Sequence, residues 1–387
     1  MSGRFPPDFL WGTATAAHQI EGNNTNSDWW AFEHTTHPRI KEPSGDAADS
    51  YHRWGEDMDL LAGAGFTDYR FSIEWARVEP APDEFSAAQL AHYRRMIDGA
   101  RDRGLRPLVT LHHFTGPRWF AERGGWMSAD AVDRFMRYVE AVAPILGDVD
   151  HVCTINEPHV VALIARLIAG TADRDMAGLE PDPRASAALI EAHHQAAPIL
   201  RAHWPRQQVG WSLAWVNAYA DPGAEDAAER YAQPRQIVFA DASRDDDWVG
   251  VQSYTRTKVG VVDGWLTELK LGPGVERTLT GWEFYPQAIG DAVRTVASLV
   301  GDIPIIVTEN GVATDGDERR IAYTDAALTS VQQAMADGVD VRGYFHWSLL
   351  DNYEWGSYRP TFGLVAVDKT TFARYPKPSL AWLGSHK

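Results

Sequence analysis

Short apolar, β-branched runs alternate with amphipathic stretches from one end of the chain to the other. Eight of them read as strands: 9–14 (FLWGTA), 68–73 (DYRFSI), 106–113 (RPLVTLHH), 151–157 (HVCTINE), 208–215 (QVGWSLAW), 248–255 (WVGVQSYT), 305–309 (IIVTE) and 342–349 (RGYFHWSL). Between them the apolar period lengthens to that of a helix. Ser86 and Gln89 form the start signal of one helix, Leu90, Tyr93, Ile97 and Ala100 share its apolar face, and Gly104 stands where a helix ends. Ser128 is expected to open a second helix, and Thr324 a third that stops at Gly338.

Continuous apolar strands separated by helices are the pattern of a (β/α)8 TIM barrel, whose strands are covered on both faces. An open doubly wound sheet would carry a glycine-rich phosphate turn after an early strand, and no G-x-G-x-x-G occurs. No repeat, low-complexity tract or linker divides the chain, so residues 1–387 read as one domain.

The polar residues add chemistry to this frame, because a barrel builds its active site at the C-terminal ends of its strands. Gln19 and Glu21 follow the first run and Glu74 the second, while His113 ends the third. Glu157, Tyr254 and Glu309 fall at the ends of the fourth, sixth and seventh, and Trp347, Glu354 and Trp355 near the end of the eighth. Glu157 follows Asn156, and Glu309 precedes Asn310. Carboxyls on the fourth and seventh strands face each other across a barrel mouth, the arrangement that glycosidic bond cleavage requires. Arg70, pointing inward from the second strand, can reach Glu309, and Tyr254 can donate to it. Glu157 lacks such a cation and feels the charge of Glu309, so Glu309 is expected to be the ionised nucleophile and Glu157 the protonated general acid.

Seven segments, FLWGTATAAHQIEG (9–22), YRFSIEWARVEP (69–80), TLHHFTGPRWF (110–120), TINEP (154–158), GWEFYPQ (281–287), VTENG (307–311) and HWSLLDNYEW (346–355), together resemble glycoside hydrolase family 1 over nearly the whole chain. The resemblance implies a retaining, exo-acting β-glycosidase, foremost a β-glucosidase, working through a covalent glycosyl-enzyme without cofactor or metal. It implies Glu157 as acid/base, Glu309 as nucleophile, and Arg70, Asn156 and Tyr254 as the residues that orient and tune them. Gln19, His113, Glu354 and Trp355 match positions that bind the glycone, and Trp347 matches its stacking platform. Glucose, galactose and fucose all satisfy this pattern. A carboxylate at Glu354 is expected to repel a 6-phosphate, which favours a non-phosphorylated sugar. Transglycosylation by the same chemistry and a non-catalytic sugar-binding barrel are the alternatives.

The chain departs from the family after Pro158, where HVVALIARLIAGTADRDMAGLEPDP replaces the usual stretch, and at Gln252, where the family carries a shorter amide. Thr361 replaces an arginine in a loop that reads as one residue shorter, and a more open aglycone side is expected.

Composition then argues against other classes of partner beside the small-molecule β-glycoside that the resemblance implies. A net charge of −17 disfavours nucleic acid and anionic membrane. No apolar run reaches membrane-spanning length, and the N-terminus lacks the pattern of a secretory signal. With a single cysteine, Cys153, a cytoplasmic location is the simplest expectation. Cys153 reads as inert and buried. The adjacent histidines at 112–113 and 193–194 read as packed side chains rather than ligands, and the acidic run RDDDW (244–248) as a solvated loop edge.

Overall fold

The computed structural model describes residues 5–172 and 176–387. Residues 1–4, part of the expected signal-free N-terminus, and 173–175, within the divergent stretch after Pro158, lie outside the described residues. Eight parallel strands close on themselves: β1 (Leu10–Ala14), β2 (Asp68–Ser72), β3 (Arg106–His112), β4 (His151–Asn156), β5 (Gln208–Ala214), β6 (Trp248–Gln252), β7 (Ile305–Asn310) and β8 (Val341–Trp347). Each pairs with the next in chain order, and β1 pairs with β8 from Leu10 opposite Gly343 to Ala14 opposite Trp347. This is the (β/α)8 barrel that the alternation of runs implies.

Its strands are buried almost end to end because both of their faces are covered. Leu10, Leu108, Cys153, Trp248, Ile306 and Phe345 form one apolar cluster, and a larger one joins the strands to the surrounding helices. Neighbouring strands approach closely at Gly250, where a Cβ would stand 2.6 Å from Ser212 Oγ and 2.8 Å from Thr308 Oγ1. No side chain fits there, which fixes glycine at the waist of β6.

The helix Ala87–Asp102 begins as expected, with Ser86 Oγ accepting from the Gln89 amide at 3.3 Å. The Gln89 side chain instead accepts from Tyr51, so only half of a reciprocal capping box forms. Two expected helix starts shift. Ser128 bonds Asp130 at 2.9 Å and the helix begins at Ala131. The helix expected from Thr324 begins at Asp317, whose carboxylate holds Arg320 and the Ser379 amide and hydroxyl. Four polar residues, about one turn, precede its first apolar residue, Ile321, and a capping partner so distant in sequence leaves no local signal.

β6 stops at Gln252, so Tyr254 lies just past the strand end. Beyond the barrel, Asn217–Tyr219, Arg256–Val262 and Trp265–Glu268 form a small sheet that the run pattern did not indicate. Among the described residues, no helix is long and apolar enough to cross a membrane.

Candidate active site

Arg70 organises the bottom of the barrel mouth. It is wholly buried on β2 and donates through one guanidinium nitrogen to Glu309 Oε1 and through the other to Asn156 Oδ1. β4 and β7 are thus tied through a single side chain. Tyr254 donates its hydroxyl to Glu309 Oε2 at 2.5 Å, so both oxygens of that carboxylate are held. Tyr254 is itself anchored, since Tyr323 donates to its carbonyl at 2.6 Å. Asn310 donates to the Ser253 carbonyl at 2.7 Å, which explains the amide beside Glu309. Gln252, despite its extra methylene, reaches Asn156 Oδ1 at 2.9 Å and Thr308 Oγ1 at 3.2 Å.

Glu157 is presented differently. It caps the helix Pro158–Ile168 with φ 46° and ψ 66°, a left-handed conformation uncommon for a residue with a side chain. Its amide donates to the Ser212 carbonyl at 2.7 Å, which pins this sharp turn against β5. Burial raises its pKa well above the usual carboxylate range, the negative charge of Glu309 adds to the rise, and Arg70 only partly opposes it. Burial also raises Glu309, but Arg70, then Tyr254, and last Gln252 pull it back. Of the two carboxyls, Glu157 is therefore the one that keeps the proton.

The other residues expected at the site gather around this pair. Glu157, Glu309, Tyr254, Gln19, His113, Glu354, Trp347 and Trp355 line one cavity of about 790 Å³, with Arg70 and Asn156 beneath it. The His113 ring lies nearly parallel to those of Trp347 and Trp355, with centroids 5.9 and 6.3 Å away. Burial and the nearby Arg70 push its pKa well below the ordinary value, so it is a neutral imidazole, and Asn156 Nδ2 approaches its Nε2 at 3.4 Å. Gln19 donates to Asn352 at 3.0 Å and to the Tyr353 carbonyl at 2.8 Å.

Trp347 donates its indole N–H to Glu354 at 3.1 Å. Burial pushes the Glu354 carboxyl up to about 8, with the charge of Glu309 contributing. The expected repulsion of a 6-phosphate by a Glu354 carboxylate is correspondingly weakened, because the group is largely protonated near neutral pH. What it gains is the ability to donate as well as accept.

Several other polar residues fall elsewhere. Glu21 pairs with Arg77 at 2.7 Å, and Glu74 accepts from Thr115 at 2.7 Å and is pushed up to about 8 by burial; neither lines the cavity. His112 points away from His113 and accepts from Trp126 at 3.2 Å. His193 is clamped between Thr154 at 2.7 Å and Asp246 at 2.9 Å. Asp246 therefore departs from the solvated edge expected of its acidic run: its side chain is buried against a histidine from another element. Cys153 is buried, and no cluster of metal-ligating side chains occurs among the described residues. Sequence reasoning did not single out His159, Trp215, Arg39 and Lys41 as cavity-lining residues. Arg39 and Lys41 belong to a loop and His159 to the first turn of the helix Pro158–Ile168, where no strand-end rule selects them; Trp215 closes the expected fifth strand, and the rule would have found it had it been applied to that strand.

A closed barrel whose mouth holds two glutamates in opposed electrostatic settings, beside an aromatic and amide-lined pocket, defines an O-glycosyl hydrolase. The chain belongs to glycosyl hydrolase family 1, whose family model matches residues 1–260 and 250–386. It is 33% identical to the bifunctional beta-D-glucosidase/beta-D-fucosidase of Bifidobacterium breve, over 98% of this chain and 97% of that protein. It is 30% identical to beta-glucosidase A of Thermotoga maritima, over 98% of this chain and 96% of that one. The solved beta-glycosidase of Pyrococcus horikoshii superposes with a TM-score of 0.88 at 34% identity, over 99% and 95% of the two chains.

Proposed function

We propose that the chain, as one catalytic domain spanning 1–387, is a retaining, exo-acting β-glucosidase that also accepts galactosides or fucosides, acting in the cytoplasm on small non-phosphorylated β-glycosides. The observation that carries this reading is the unequal setting of two like side chains. Both oxygens of Glu309 are held by Arg70 and Tyr254, whereas Glu157 is raised by burial and by Glu309 itself. The relatives' names support glucose as the principal glycone. They do not favour a transglycosylase or a non-catalytic barrel.

In the first step an oxygen of Glu309 attacks the anomeric carbon while Glu157 gives its proton to the glycosidic oxygen, and the aglycone departs as a neutral alcohol. In the second, the Glu157 carboxylate takes a proton from water, whose oxygen attacks the same carbon and frees Glu309. Two inversions give net retention, a mechanism that requires carboxyls about 5–5.5 Å apart. Gln19, His113, Glu354 and the indole N–H of Trp355 hold the glycone hydroxyls, and Trp347 faces its C–H surface. A 2-deoxy-2-fluoroglucoside with a good leaving group tests the reading. Mass spectrometry of the digest is expected to find the sugar on the peptide bearing Glu309; an adduct elsewhere, or an α-configured product by NMR, would overturn it.

A further inference from the structure

Acidic residues outnumber basic ones by 17 in this chain, and most arginines that the structure describes are spent on a neighbouring carboxylate. The cavity mouth is an exception. Arg39 and Lys41 both line it, both are exposed, and neither has a carboxylate within ion-pair distance among the described residues. The acid next in sequence is committed elsewhere, as is the one that pairs the cavity's other arginine. Glu42 takes the Lys369 ammonium at 3.1 Å and the Tyr358 amide at 2.8 Å. Asp315 holds Arg359, the third cation of this wall, at 2.7 and 3.1 Å.

The segment is also held in place. The Lys41 and Glu42 amides both donate to the Gly356 carbonyl, at 2.8 and 3.2 Å, and Lys41 Nζ donates to the Pro38 carbonyl at 2.7 Å. Gly356 cannot carry a side chain here, because its φ is 133° and a Cβ would stand 2.8 Å from the Arg39 carbonyl. The 39–42 strap is thus fastened over the loop that follows Glu354 and Trp355, and its two cations stand at the rim of the same cavity. Two rim cations that no described carboxylate pairs attract a negative group to the mouth. Glu268, which also lines the cavity, accepts from Tyr231 at 2.5 Å.

We infer that Arg39 and Lys41 form an anion-recognising rim that selects β-glycosides carrying a carboxylate or sulfate on the aglycone. The inference rests on the exo-glycosidase reading above, in which the glycone fills the closed end against Gln19 and Glu354 and only the aglycone extends to the mouth. Arg39 can hold a carboxylate by two parallel N–H bonds, and Lys41 supplies a second charge on a different stem.

The test compares 4-carboxyphenyl and 4-carbamoylphenyl β-D-glucosides, which differ in charge at nearly constant shape. The wild-type protein is expected to show a kcat/KM ratio of roughly five to ten in favour of the carboxylate at low ionic strength, falling toward one as salt is added. Arg39→Gln with Lys41→Gln is expected to bring that ratio to about one, and each single substitution to bring it part of the way. A wild-type ratio near one, or a double variant that keeps the preference, would overturn the proposal. So would a preference confined to the 6-phosphate of a neutral aryl glucoside, which would assign the cations to the glycone. Failure of the wild-type protein to cleave even the carbamoyl compound would instead refute the underlying β-glucosidase reading.

Discussion

The ends of β4 and β7 are written in nearly the same letters, TINEP and TENG, yet they deliver their glutamates into unlike surroundings. β7 delivers Glu309 from within the strand, just past a register shift that follows Val307, with each oxygen met by a donor from another strand or strand-end loop. β4 delivers Glu157 from a left-handed turn at a helix start, and its charged form is opposed by burial and by Glu309. Asn156 and Asn310 differ in the same way: one turns into the Arg70 network, whereas the other braces the loop that carries Tyr254. Chemical role in this mouth follows from donors and geometry, since the side chains are identical.

That contrast is broken most severely at Glu309. Glu309→Gly removes the proposed nucleophile, and kcat/KM is expected to fall on the order of 10⁴-fold or more for every leaving group. Glu157→Ala should be selective. With an alkyl glucoside the loss is expected to be about 10²–10⁴-fold, the usual worth of a positioned acid. With a dinitrophenyl glucoside, whose phenolate leaves without help, the first step should be nearly preserved and a burst of phenol should precede slow hydrolysis. A series of aryl glucosides of graded acidity checks both. Equal losses for the two variants across that series would remove the division of labour.

Much of this arrangement is visible in the amino-acid sequence, for a physical reason. A strand covered on both faces must be apolar throughout, so all eight runs stand out, and a charged residue at the end of such a run is conspicuous. Arg70 is legible because a guanidinium inside an apolar strand demands a partner, even one on β7. What escapes is set by tertiary contact. The start of the Asp317–Ala336 helix is hidden because Asp317 bonds Ser379, and Asp246 looks solvated until His193 is packed against it. The small sheet around Arg256–Val262 is half exposed and lacks a buried apolar run, and its one sequence signal, the Asp263-Gly264 turn with both φ positive between Val262 and Trp265, is invisible to a search for apolar runs. Arg39 and Lys41 are ordinary surface cations until the fold fastens their strap over the loop at Gly356.

The finest adjustment of the comparison is Tyr254→Phe. It leaves Arg70 on one oxygen of Glu309 and strips the hydroxyl from the other. A hydrogen bond to a charged group contributes about 1.5–3 kcal/mol, so a roughly ten- to hundredfold loss in kcat/KM is expected. The sign of the pH effect follows from which form the hydroxyl stabilises. Tyr254 is itself raised well above its ordinary value by burial and by Glu309, so it stays a donor throughout the working range. It favours the ionised form of Glu309, and its removal raises the pKa of that carboxyl further. Activity requires Glu309 ionised, so the acidic limb of kcat/KM against pH moves to higher pH. The basic limb reports loss of the Glu157 proton, and Glu309 is already charged there, so that limb should hold its place. The profile therefore narrows from the acid side alone. An acidic limb that stayed put, or a basic limb that moved in its stead, would mean that Tyr254 serves position and not charge.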